Sequence, residues 1–87
     1  MRWFLALSLV AACKDKVDDN CVTWTESADA CLEQAGMEPA FVAGIDCADL
    51  TKEDFHSCMV IAWNGADCST QASVEAVETG PAYECTQ

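Results

Sequence analysis

Six cysteines, Cys21, Cys31, Cys47, Cys58, Cys68 and Cys85, recur along this chain at intervals of 10, 16, 11, 10 and 17 residues. No two stand as a Cys-x-x-Cys pair, which sets aside zinc ribbons and thioredoxin-like redox pairs. Wide spacing without short pairs favours structural bridges in an oxidising compartment. A chain of 87 residues buries a limited share of its surface and usually needs such staples. Three bridges at about 2–4 kcal/mol each rival the net stability of a small domain, about 5–15 kcal/mol. A seventh cysteine, Cys13, makes the count odd, and an odd thiol in an exported protein needs its own explanation.

The residues ahead of Cys13 supply one. Arg2 is followed by an apolar run from Trp3 to Ala12. That run is too short for a membrane span, which takes about 20 residues, but it fits the core of a secretory signal. Val10-Ala11-Ala12-Cys13 places an apolar residue and two small residues directly before a thiol. This segment resembles the lipobox of bacterial lipoproteins. The resemblance covers about the first 13 residues and implies cleavage before Cys13, with fatty acyl chains such as palmitate added there. An ordinary secretory cleavage at the same bond is the alternative. The expected organisation is a signal peptide over 1–12, a lipidated tether over 13–20 and a cysteine-rich helical domain over 21–87.

Within that domain the apolar spacing predicts helices. Thr23 and Glu26 form a capping-box pattern, and Trp24, Ala28, Cys31, Leu32 and Ala35 then share one helical face, with Gly36 as the stop. The first helix is expected over 24–35. Pro39 suits the first turn of a short helix near 39–43, ended by Gly44. Asp46-Cys47-Ala48-Asp49 reads as a loop pinned by a disulfide. Thr51 as cap, with Glu53 and Asp54 in the first turn, opens a helix over 52–63. Phe55, Cys58, Met59 and Ala62 line its apolar face. The adjacent β-branched Val60 and Ile61 also suit a strand, but the cap and the length favour helix. Ser69 or Thr70 caps a third helix over 70–79, terminated by Gly80-Pro81, and Cys85 ties back the tail. The expected fold is all-α: a small disulfide-stapled bundle of about three helices. Trp24, Leu32, Phe55, Met59, Trp63 and Val77 are the expected core. Cys31 and Cys58 lie on the two predicted apolar faces, so a bridge between them is expected among the 15 connectivities that six cysteines allow.

The charge is one-sided, with 15 Asp and Glu against 4 Lys and Arg. Such a surface repels phosphate backbones and anionic lipid heads, which sets aside nucleic acid and a polybasic membrane patch. It suits solubility and is compatible with a basic partner.

Patterns that carry chemistry are thin. His56 is the single histidine, beside Phe55 and three residues after Glu53, and is expected at the surface or boundary, loosely paired with an acid. Asp46, Asp49, Glu53 and Asp54 lack the order and the glycine of a calcium loop. Asp54, His56 and Ser57 do not form a triad by adjacency, because neighbouring helical residues point to different sides. Met37, Met59 and His56 read as core and surface residues rather than a copper site. No catalytic residue, metal ligand, cofactor or small-molecule substrate is expected.

These readings point to a non-enzymatic envelope lipoprotein. Lipid on Cys13 anchors it to the membrane, and the bundle, stapled through Cys21, Cys31, Cys47, Cys58, Cys68 and Cys85, serves a structural role or binds a basic or envelope protein. Lys14 stands where many Gram-negative lipoproteins retained in the inner membrane carry Asp. The resemblance therefore implies the outer membrane rather than the inner. The alternative is a soluble secreted binding module of the inhibitor or toxin-like kind.

Overall fold

The computed structural model describes residues 16–87. Over these residues the chain is helical, with no strand. The elements in order are α1 (Asp19–Gln34), a short α2 (Phe41–Gly44), a 3-10 turn (Leu50–Lys52), α3 (Glu53–Asn64), α4 (Gln71–Thr79) and a short α5 (Pro81–Glu84). The segment expected to be a signal peptide and the expected lipid site at Cys13 lie outside the described residues.

Helix α1 starts earlier than its spacing suggests. Its cap is Asp18, whose carboxylate accepts the N–H groups of Asn20 at 2.9 Å and Cys21 at 3.3 Å. The Asp18 N–H donates to the Cys47 carbonyl at 2.8 Å. Residues 18–20, read from the sequence as the end of a tether, therefore belong to the folded body. Thr23 is an exposed helical residue, not a cap. The helix ends as expected at Gly36, whose φ of 80° suits a residue without a Cβ. There Met37 N–H returns to the Leu32 carbonyl and Gly36 N–H to that of Glu33, a Schellman closure.

The start of α3 also departs from expectation. Thr51 does not cap it; instead Thr51 gives its N–H and hydroxyl to the Asp49 carboxylate at 3.0 and 2.6 Å. Asp49 thus caps the 3-10 turn, which runs straight into α3. Val60 and Ile61 are helical, and Ile61 is 78 % exposed. Helix α4 carries the expected Thr70 cap, with Thr70 Oγ1 accepting from Ser73 N–H at 3.1 Å. Its end requires glycine, because a Cβ on Gly80 would stand 2.8 Å from the Ala76 carbonyl oxygen. Pro81 then opens α5, where its missing N–H costs nothing.

Three disulfides hold these pieces: Cys21–Cys47, Cys31–Cys68 and Cys58–Cys85. The expected Cys31–Cys58 bridge does not form. Cys21, near the start of α1, is tied just ahead of α3, and Cys31, near the end of α1, is tied just beyond the end of α3. The two long helices therefore run the same way. Asn20 reaches Ser57 at 3.2 Å, so Cys58 is level with the first turn of α1. Cys31 lies eleven residues further along α1, roughly 16 Å down its axis, far outside the Cα separation of about 7 Å that a disulfide spans.

The core gathers Trp24, Ala28, Cys31 and Leu32 from α1, Met59 and Trp63 from α3, Val74 and Val77 from α4, and Ala82 from α5. Five of the six residues expected inside are buried, and Phe55 is half-buried against the same cluster.

Candidate functional site

The feature of the fold with chemical character is an aromatic spine that begins in the core and opens at one surface. Trp24 sits at its buried end, 1 % exposed. Its ring meets Phe41 edge-on at 5.2 Å and Phe55 at 6.1 Å, and Phe41 in turn contacts Trp63 at 5.7 Å. Offset and edge-on pairs of this kind suit the ring quadrupoles.

His56 belongs to the buried end, which corrects the expectation of a surface histidine paired with an acid. It is 2 % exposed, and its Nδ1 accepts the Trp24 indole N–H at 2.9 Å. The two ring planes differ by 26°, which suits the in-plane lone pair of Nδ1. Indole can only donate, so Nδ1 must be the bare nitrogen and the neutral ring carries its proton on Nε2. That Nε2 is buried and has no hydrogen-bond partner among the described residues. The lone histidine thus satisfies a core tryptophan and is shut away from solvent. Neither Ser57 nor Asp54 shares a hydrogen bond with it.

Phe41 reaches the spine because of Asp29, a residue the sequence reading did not single out. Asp29 lies on α1, and its carboxylate accepts three successive backbone N–H groups: Ala40 at 3.0 Å, Phe41 at 2.8 Å and Val42 at 3.0 Å. Desolvation raises the carboxyl's pKa, but the N–H groups of Phe41, Val42 and Ala40 outweigh it and hold the group below its ordinary value. One side chain thereby fixes the whole start of α2 against α1. A lone Asp on an amphipathic helix gives no sign of this, because its partners are backbone groups eleven to thirteen residues away.

At its outer end the spine lines a cleft of about 200 Å³, whose walls are Phe41, Met59, Trp63, Glu78, Ala82, Tyr83 and Thr86. Tyr83 is 57 % exposed. Trp63 is itself buried, so it forms the floor and not a free anchor. The expectation that both Trp24 and Trp63 fill the core holds, and the Trp24 indole has its partner, whereas the Trp63 indole N–H has none among the described residues.

Three further aspartates, Asp46, Asp49 and Asp67, each accept the backbone N–H two residues on and so serve local structure. Asp49 and Asp67 are both held below the ordinary carboxyl range, the first by the hydroxyl and N–H of Thr51, the second by those of Ser69. Asp67 also receives the Ser73 hydroxyl at 3.2 Å. Among the described residues no group of three His, Cys, Asp or Glu converges as a metal site would require. None of the described helices is long and apolar enough to cross a membrane. Comparison with known protein families, with curated proteins and with solved structures finds no match to this chain.

Proposed function

We propose that this chain is a small envelope lipoprotein without catalytic activity, held to a membrane by lipid on Cys13, whose stapled acidic bundle binds another protein. The observation that carries the reading is cysteine parity. All six cysteines from Cys21 to Cys85 are used in pairs within the folded body. Cys13 is the seventh, and it stands where the Val10-Ala11-Ala12 segment places a lipid-modified residue. Two or more acyl chains anchor durably where one is marginal. Two further features support a binding role over an enzymatic one. The single histidine is buried and occupied by Trp24, so it cannot meet a substrate as a general base. The surface carries the chain's large acidic excess, which steers basic partners toward it. The Lys14 position favours the outer membrane.

Intact mass of the processed protein, before and after reduction, tests this. The expected species begins at Cys13, carries acyl mass, and gains six hydrogens on reduction of its three disulfides. Cys13→Ser should release it from the membrane fraction. An unmodified Cys13 in a soluble product would replace the reading with that of a secreted binding module.

A further inference from the structure

We propose that the cleft between α3 and the C-terminal turn is a docking pocket for one large apolar side chain of a positively charged protein segment. The inference rests on the reading of the chain as a protein-binding module and names where and what it binds.

Size points to a side chain. The cleft holds about 200 Å³, below the roughly 300–1,000 Å³ of sites that enclose a small molecule. Interface anchors are aromatic or aliphatic side chains seated in pockets of this kind. The lining suits such an anchor: Phe41, Trp63 and Tyr83 offer ring faces and edges, and Met59 offers an adaptable thioether.

The walls are held in place before any partner arrives. Asp29 fixes the backbone on either side of Phe41. The Cys58–Cys85 bridge joins α3 beside Met59 to the turn that follows Ala82 and Tyr83. A pocket already formed spends little of its binding free energy on ordering itself. Tyr83, a wall of the pocket, and Val42, the neighbour of Phe41, are 57 % and 53 % exposed.

Charge selects the occupant. A second copy of this chain, with formal charge −11, would be repelled, and so would an anionic lipid surface. Glu78 is the one charged residue among those that line the cleft. Lys52 does not line it but a second concavity that shares Thr86 with it. The partner's Lys or Arg therefore belongs on the Glu78 side of its apolar anchor.

Two ten-residue peptides of Lys, Ser and Gly, identical except for a central Phe or Ala, test this against the processed full-length protein. Titration calorimetry and tryptophan emission provide the readouts. The Phe peptide should bind about tenfold or more tightly than the Ala peptide, the discrimination expected of an anchor residue. Tyr83→Lys should abolish that preference, with the helical circular dichroism and all three disulfides intact, because Tyr83 is exposed. Glu78→Gln should weaken the Phe peptide by about twofold to fivefold, as loss of a rim charge does. Equal affinity for both peptides, no binding of either, or a Phe preference untouched by Tyr83→Lys would each overturn the inference. Equal or tighter binding to phosphatidylglycerol vesicles by protein lacking acyl chains (Cys13→Ser) would overturn it as well. Acylated Cys13 without a Phe preference defeats this inference alone. A Phe preference in a protein without lipid defeats only the membrane anchor.

Discussion

His56 and Trp24 show how one hydrogen bond decides the character of a residue. The indole N–H of a tryptophan buried to 1 % needs an acceptor, and the imidazole Nδ1 at 2.9 Å is the one it finds. Removing that acceptor leaves a buried donor unpaired, which costs about 1–3 kcal/mol, and adds the loss of packing around the ring. His56→Ala should therefore lower the stability of the oxidised protein by about 2–4 kcal/mol, read as a shift of the urea midpoint. A change within about 0.5 kcal/mol, as for a surface site, would contradict the burial. The sequence places His56 next to Phe55 and one step off an apolar stripe, which reads as surface or boundary, whereas the side chain is buried. Its burial follows from Trp24, which lies 32 residues away in sequence. Trp24, Leu32, Met59 and Val77 were legible because burial follows directly from apolar spacing.

Elements here are specified at their ends by short polar residues. Thr70 and Gly36 do what their positions suggest, since a hydroxyl before a helix and a glycine after one act on backbone groups within three or four residues. Thr51 and Thr23 carry the same signature and do not act as caps, because Asp49 and Asp18 reach the free N–H groups first. The junction of α1 with α2 lies beyond any local rule, since Asp29 gathers three N–H groups from a segment far along the chain. Its carboxyl is held below its ordinary value in the fold, so its contribution is complete at neutral pH. That contribution is lost as pH falls through the folded-state value, below the ordinary carboxyl pKa of about 4. Asp29→Asn should be less stable than the natural chain at pH 7, and the gap should narrow below about pH 4. Urea melts across pH check this; a constant gap would mean that the negative charge of Asp29 is not what holds α2.

The bridges define the molecule as a whole. Each encloses part of the next along the chain: 21–47 spans Cys31, 31–68 spans Cys47 and Cys58, and 58–85 spans Cys68. Separations of 26, 37 and 27 residues give about 3–4 kcal/mol for each bridge by loop entropy, less when loops overlap. That is a large share of the about 5–15 kcal/mol that a domain possesses. Full reduction should collapse the helical circular dichroism and expose the core tryptophans, seen as a red shift in emission. Retention of native helicity after verified reduction would show that the apolar core suffices alone. If the fold is lost, the cleft is lost with it, because Phe41, Met59 and Tyr83 reach one place from three separate stretches of chain.

Sequence alone determined the helical class, the approximate extent of α3 and α4, most of the core and the presence of disulfide staples. Each of these follows from residue spacing along one helix or from a count of thiols in a small chain. Tertiary structure decided which cysteines meet, where His56 points and how the cleft forms. Helical periodicity reports which way a side chain faces around its own axis, not how far along a neighbouring axis it lies. The parallel course of α1 and α3 fixes that second coordinate, putting Cys31 beside Cys68 and setting Trp24 against His56.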